Sequence, residues 1–366
     1  MPTPTRGYCP IPLLLLLFTT LTLGAQSTGP VTWRAAQRQD SAWYGTPEAA
    51  RVADNLLVYQ HATGGWPKNT DMAAPLTPAD ITAITAAKTD PQDDLGRPTI
   101  DNGATYPELR FLSRVYRSRG DERYREAFLR GVDYLLEAQY ANGGWPQFYP
   151  IRKGYYENIT LNDGAMIGTM EFLRDVGRGA YPFVDAERMA NSRAAVTRGV
   201  DVLLKMQVRV DGQLTAWCAQ HDPVTLEPAK ARAYELVSLS GSESVGVVRF
   251  LMEMEDPSPE VVRAVTAAVD WFERVKLTGL RLIREDDPLL PKGYDLIVGF
   301  DPEHGKMLWA RFYEIGTNYP MFVGRDGVVK YALSEIEYER RNGYSWLNDW
   351  PKELLAEYPA WAERHP

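Results

Sequence analysis

Three short runs set acids and amides beside glycine at the start of helical segments: Thr99-Ile-Asp-Asn-Gly-Ala-Thr105, Leu161-Asn-Asp-Gly-Ala165 and Ser240-Gly-Ser-Glu243. Asp101, Asn102 and Asp163 are hard oxygen donors of the kind calcium takes, too few to close a cage and so leaving positions for water or a substrate oxygen. The same residue types serve as helix N-caps, and spacing alone favours that commoner job. Downstream stand Arg232, in Pro228-Ala-Lys-Ala-Arg-Ala-Tyr-Glu235, and Arg311 and Arg325, fourteen residues apart around Asn318-Tyr-Pro320. Guanidinium forks fit carboxylates through two parallel hydrogen bonds, although ordinary ion pairs, such as Arg232 with the nearby Glu235, are the bland alternative. Hard donors and anion binders together suit a negatively charged substrate held through a metal. The absence of His or Cys at metal-ligand spacing argues against zinc or a softer ion.

Several residues invite a functional role and are better read as structural. Trp66 and Trp145 sit in two Gly-Gly-Trp-Pro loops; they could stack on sugar rings, but plugging a gap between helices is the favoured reading. His221 has no nucleophile motif beside it, so a structural or subsite role is expected. Cys218 is the single cysteine left once Cys9 is removed with the leader, and a buried, inert thiol is expected. Lys68, Lys230 and, more weakly, Lys153 are further candidates for carboxylate contacts. Asn158-Ile-Thr160 is a glycosylation sequon without weight of its own.

The elements that must position these residues are mostly helices. Apolar residues recur at helical spacing near Pro47 to His61, Thr105 to Ser118, Glu122 to Tyr140, Gly164 to Val176, Ala186 to Gln207, Ser242 to Met254, Pro259 to Lys276 and Lys352 to Arg364. Leu56-Leu-Val-Tyr-Gln60 followed by Gly64-Gly-Trp-Pro67 is echoed 79 residues later by Leu135-Leu-Glu-Ala-Gln139 and Gly143-Gly-Trp-Pro146, and faintly by Leu203-Leu-Lys-Met-Gln207. This alternation predicts an all-α fold, an (α/α) toroid of about three helical hairpins with the functional loops on one rim. Periodicity alone does not separate it from an open solenoid. After Ile283 the pattern breaks into irregular loops with a few short strands, such as Leu296-Ile-Val298 and Val328-Val-Lys-Tyr331.

Residues 1–25 read as a secretory signal, with Arg6 ahead of an apolar run from Ile11 to Leu23 that is too short to span a bilayer. A secreted or periplasmic protein is expected, with residues 26–366 as a single catalytic domain, no membrane anchor and a monomeric state. The chain carries a formal charge of −8, so anion recognition has to be local rather than steered by the whole molecule. The same acidic balance argues against nucleic acid.

The runs Thr99–Thr105, Leu161–Ala165 and Pro228–Glu235, with Gly64-Gly-Trp-Pro-Lys-Asn69 and Arg311-Phe-Tyr-Glu-Ile-Gly-Thr-Asn-Tyr-Pro320, resemble the pectate lyases of polysaccharide lyase family 10, in the family's order from about Asn55 to Pro351. The resemblance implies a calcium-dependent β-elimination on de-esterified α-1,4-polygalacturonate. Asp101, Asn102 and Asp163 would be calcium and substrate ligands, and Arg232 the base that removes the C5 proton. Arg311 and Arg325 would bind substrate near the scissile bond, with Asn318 between them and Lys68 and Lys230 at further subsites. An arginine base strains expectation, because guanidinium holds its proton tightly; burial beside other positive charges is expected to relieve it. Two other readings stay open at this point. One is an inverting glycoside hydrolase using two of Asp101, Asp163, Asp222 and Glu243. The other is a non-catalytic, calcium-dependent polysaccharide-binding protein.

Overall fold

A computed structural model describes Met1 and residues 31–366; apart from Met1, the leader expected over residues 1–25 lies outside the described residues. The helices are α1 (Trp33–Ala36), α2 (Pro47–Tyr59), α3 (Pro78–Ala87), α4 (Tyr106–Arg119), α5 (Glu122–Glu137), α6 (Ala165–Gly177), α7 (Ala186–Met206), α8 (Glu243–Met252), α9 (Pro259–Val275), α10 (Tyr338–Gly343) and α11 (Lys352–Ala362). Their apolar faces follow helical periodicity. On α9, for example, Val261, Ala264, Val265, Ala268, Val269, Phe272 and Val275 are buried along one stripe. Among the described residues no helix is long and apolar enough to cross a membrane.

Three successive hairpins, α4 with α5, α6 with α7 and α8 with α9, form the (α/α) body. The first helices of the hairpins, α4, α6 and α8, neighbour one another in one layer; α2, α5, α7 and α9 neighbour one another in the other. The sequence echo is the joint between hairpins. Trp66, Trp145 and Trp217 are fully buried, and each indole N–H donates at 2.8 Å to a carbonyl in the last turns of the preceding outer helix, those of Leu56, Leu135 and Leu203. The glutamines that end those helices bridge onward. Gln60 Nε2 donates to the carbonyls of Gly64 and Ala127, Gln139 Nε2 to those of Gly143 and Ala195, and Gln207 Nε2 to those of Thr215 and Ala264. Each amide therefore ties its own loop to the next outer helix, giving the loop carbonyl a partner that burial would otherwise deny it and adding a second bond to a helical carbonyl. Gly64 and Gly143 are required here. Both have φ near +100°, and a Cβ would meet the carbonyl oxygen of Arg130 or Arg198 at 2.1 Å.

The C-terminal region holds more sheet than the short runs suggested. Strands Leu277–Asp286, Tyr294–Phe300, Lys306–Ala310 and Leu347–Asn348 form a four-stranded antiparallel sheet, with the first at its centre beside the second and third. The run Arg284-Glu-Asp286, read as loop from its charge, is the end of a strand whose outer half is exposed; an edge hairpin facing water does not need an apolar alternation. The pair Phe322–Val323 with Val329–Lys330 forms a separate small hairpin. Helix α3 escaped the periodicity reading because Ile84 is its sole buried residue; a Thr77–Asp80 capping box starts it instead.

Candidate active site

Helices α5, α7 and α9 begin at side-chain caps, where Asp121, Asp185 and Ser258 accept from backbone N–H groups. Helices α4, α6 and α8, which follow the motif turns, have no side-chain cap. The capping explanation for Asp101, Asn102 and Asp163 therefore does not hold. Their turns are short 3-10 segments, Asp101–Gly103 and Asn162–Gly164, that pack against each other. Asn102 (φ 52°, ψ 32°) and Asp163 (φ 51°, ψ 25°) share a left-handed conformation, a cost that non-glycine residues bear mostly where a side chain must be aimed.

The donors on these turns are partly engaged. Asp101 is buried; its Oδ2 accepts from Lys68 Nζ at 2.5 Å, while its Oδ1 is buried without a partner. Asn102 Nδ2 donates to Asn69 Oδ1 at 3.0 Å, leaving its own carbonyl oxygen free of protein hydrogen bonds. Asp163 Oδ1 accepts from Arg311 Nη2 at 3.1 Å and its Oδ2 from Asn162 Nδ2 at 2.7 Å. Among the described residues no cluster of three or more His, Cys, Asp or Glu side chains forms a complete metal cage. Two carboxylates and an amide with an orphaned buried oxygen do fit a hard cation that keeps outside ligands.

Arg311 links this half of the site to the rest. It is 8% exposed, and its Nη2 also donates to Glu243, the buried first residue of α8, whose carboxylate accepts in turn from Ser240. Its Nε is buried and unpartnered. The Arg311 guanidinium lies 4.6 Å from the centre of the Tyr344 ring, and the Tyr344 hydroxyl donates to Glu235 Oε1 at 3.0 Å. Glu235 grips Arg232 with both oxygens, Arg232 Nε lying 2.8 Å from Oε2 and Nη2 closer still to Oε1. Arg232, Arg340 and Arg325 gather around the Tyr234 ring at 5.0, 4.6 and 5.9 Å, and Glu339 bridges Arg325 and Arg340. Four arginines thus surround two tyrosines, each guanidinium paired with a carboxylate.

Electrostatically this differs from what the sequence suggested. Burial pushes Arg232 toward neutrality, but the Glu235 pair, backed by Tyr234 and Tyr344, outweighs it and raises its pKa above that of an ordinary arginine. The expected relief by neighbouring positive charge is overridden. Burial likewise raises Tyr344, which stays a neutral phenol, and Arg340 and Arg325 hold Glu339 down at about 2.

Arg232, Arg311, Arg325, Lys68, Asp101, Asn102 and Asp163 all fall in this connected set. Lys230 is exposed on the Arg232 loop, and among the described residues its ammonium has no hydrogen-bond partner. Asn318 is not brought in; its Oδ1 accepts from Trp271 Nε1 at 2.8 Å, a packing role. His221 is fully buried, accepting from Cys218 N–H and donating to Leu226 O, and burial lowers its pKa to about 4. Cys218 is buried as expected. Asp222 shapes a turn by accepting from the N–H groups of Val224 and Thr225. Arg340, Tyr234, Tyr344 and Glu339 were missed as members of an arginine cluster, whereas Glu235 is the ordinary partner that sequence offers Arg232, and Glu243, read only as a candidate acid, pairs with Arg311. The only signal was the Arg-Arg pair at 340–341, which reads as ordinary surface charge.

The sequence model of the family described as pectic acid lyase matches residues 60–355. The chain belongs to this family. This lyase is 35% identical to a solved structure of a family 10 polysaccharide lyase from Cellvibrio cellulosa, with a TM-score of 0.73 over 88% of this chain and 95% of the other. It is 34% identical to an aspartate-to-alanine variant of a family 10 polysaccharide lyase from the same organism, solved in complex with trigalacturonic acid. That match has a TM-score of 0.73 and covers 87% and 95% of the two chains. No curated protein matches the lyase.

Proposed function

We propose that this lyase is exported and cleaves de-esterified polygalacturonate by calcium-dependent β-elimination. One observation carries the reading. Arg232, Arg311, Arg325 and Arg340 converge on Tyr234 and Tyr344 beside two left-handed turns that present hard oxygens. That is a site for carboxylates on successive sugars, in a chain whose overall charge is negative. The trigalacturonic acid held by a related lyase agrees with it.

Asp101, Asn102 and Asp163 would hold the calcium. Bound there, calcium would draw charge from a substrate carboxylate and make the adjacent C5 proton more acidic. Arg311, fixed by Glu243 and Asp163, presents a buried unpartnered Nε to the same region and would neutralise a uronate. Arg232 would take the C5 proton; the C5–H electrons become the C4–C5 double bond and the C4 oxygen departs, with no water consumed. Glu235 orients Arg232 but also holds its proton, so turnover by this route belongs to the alkaline range.

The same ion pair favours a second reading, in which Arg232 stays charged and clamps a carboxylate while another group is the base. Hydrolysis is disfavoured because Glu243 is locked beneath Arg311 and Asp222 is committed to its turn. The test is incubation with polygalacturonate, with and without chelator, following the ultraviolet absorbance of a 4,5-unsaturated product. Reducing ends without that absorbance would mean hydrolysis. Arg232→Ala then separates base from clamp: a base loses kcat by several orders of magnitude and keeps trigalacturonate affinity within about tenfold, whereas a clamp loses mainly affinity.

A further inference from the structure

A recess of about 610 Å³ lies between the N-terminal segment and helix α4, lined by Gln37, Arg38, Ser41, Tyr44, Arg114 and Arg117. Arg38 and Arg117 are exposed and, among the described residues, make no ion pair or side-chain hydrogen bond. Arg114 is anchored through Nη1 to Gln37 O at 2.9 Å and to the Tyr44 hydroxyl at 2.7 Å, with its guanidinium 5.2 Å from the Tyr44 ring centre. Its Nε and Nη2 are left without a protein partner among the described residues. No acid lines this recess. The nearest in sequence, Asp40, is turned to the Trp43 N–H.

The recess is not isolated. Gln37 also lines a second depression of about 660 Å³ that contains Arg34, Lys68, Asn69 and Asn102. Only one of its two acids is held neutral. Asp71 Oδ1 accepts from the N–H groups of Trp33 and Ala73, and Glu108 is buried, its pKa raised by desolvation to about 8, which keeps it neutral at pH 7. Lys68 is held by Asp101, so among the described residues the cations without a carboxylate partner are Arg34, in the depression that reaches Asn102, and Arg38, Arg114 and Arg117 in the recess. In a chain of net charge −8, unpaired arginines gathered in one concavity are the reverse of the average surface, and guanidinium forks prefer carboxylates.

We propose that the Arg38–Arg114–Arg117 recess is a secondary carboxylate-binding site that grips the part of a polyuronate chain lying beyond the sugars at the arginine cluster. The inference rests on the function proposed above for its ligand, and extends the bound length of substrate rather than its chemistry. It separates affinity for polymer from affinity for short oligomers, because only a long chain reaches both places at once.

The full chain carrying Arg38→Ala and Arg117→Ala tests this, with the charge reversal Arg117→Glu as a second variant. Neither position carries structural contacts, so the folded helical signal stays unchanged. Binding is read without turnover, as retardation in a native gel cast with polygalacturonate and chelator. Catalysis is read as KM on polygalacturonate and on trigalacturonate. The double variant should lose retardation and raise KM for the polymer by about fivefold, with kcat and the trigalacturonate KM unchanged; Arg117→Glu should do the same. Equal retardation of variant and unaltered protein overturns the proposal. A parallel rise in both KM values overturns it too, since the recess would then belong to the reacting sugars. Equal retardation by fully methyl-esterified pectin rules out carboxylate recognition. Retardation that depends on these arginines in a protein yielding no unsaturated product supports the site while defeating the lyase reading of its substrate.

Discussion

The Arg232 guanidinium donates two hydrogen bonds to one carboxylate, and that pair decides how its chemistry can be tested. Glu235 raises the pKa of Arg232 above its ordinary value, so Glu235→Gln lowers it, and each unit of lowering multiplies the deprotonated fraction at a given pH by about ten. If Arg232 is the base, the rising limb of kcat against pH moves to lower pH in Glu235→Gln, whatever the absolute rate. An unmoved limb with weaker trigalacturonate binding identifies a clamp. Asp101→Ala and Asp163→Ala should abolish activity at ordinary calcium with the melting temperature nearly unchanged, because neither side chain caps its helix. A lowered melting temperature with normal turnover would return them to a structural role. Type and glycine turns singled these residues out in the sequence, but spacing alone favoured capping, and it was the family resemblance that pointed to a metal. Glu339, Tyr234, Tyr344 and Arg340 were not singled out, since a tyrosine or an acid beside an arginine is commonplace and only the fold shows which of them meet. Asn318 was read as substrate-binding from its neighbours in the motif, while its carbonyl is used by Trp271.

The hairpins themselves were legible nearly to their ends, because outer and inner helices both bury an apolar stripe, and the Gln and Gly-Gly-Trp echo marks two joints clearly and the third faintly. The reason for the echo was not legible. A glutamine amide that serves two carbonyls on different helices is a tertiary fact, and α3 and the exposed Leu277–Asp286 hairpin, which bury little, leave no periodic trace. Gln60→Ala should cost about 2 kcal/mol, since it strands the buried carbonyl of Gly64 and removes the tie to Ala127 on α5; chemical denaturation at neutral pH measures it, and a loss near zero would mean that water replaces the amide. Helix α4 carries a second test. Glu108 is buried with Oε2 unpartnered, and desolvation raises its pKa from 4.5 to about 8. The folded state therefore holds a proton that the unfolded chain has lost, so stability is full below about pH 4.5 and falls as pH rises to about 8. Glu108→Gln should flatten that fall, seen as a smaller drop in melting temperature between pH 5 and 9 than in the unaltered protein. Parallel curves would remove Glu108 as the cause.

At the scale of the molecule, a protein of net charge −8 meets a polyanion, and long-range attraction cannot gather the substrate. Binding has to come from short-range contacts that outweigh the repulsion, which in the proposed reading are the four arginines, Lys68 and the calcium that Asp101, Asn102 and Asp163 would hold. Every one of those contacts needs the free carboxylate. A methyl ester removes the charge, the two-oxygen partner for guanidinium and the hard metal ligand together, whereas the lost repulsion returns little, being spread over distances that salt screens. The rate should therefore fall as esterification rises, and more steeply than the fraction of free acids, because a productive stretch needs carboxylates on neighbouring sugars at once. Initial rates of unsaturated-product formation on pectins of graded esterification, at equal total uronate, measure this. A rate that falls only in proportion to free acid would mean that one carboxylate suffices, and the convergence of four arginines would then need another purpose. Equal rates on polygalacturonate and highly esterified pectin would overturn carboxylate recognition altogether.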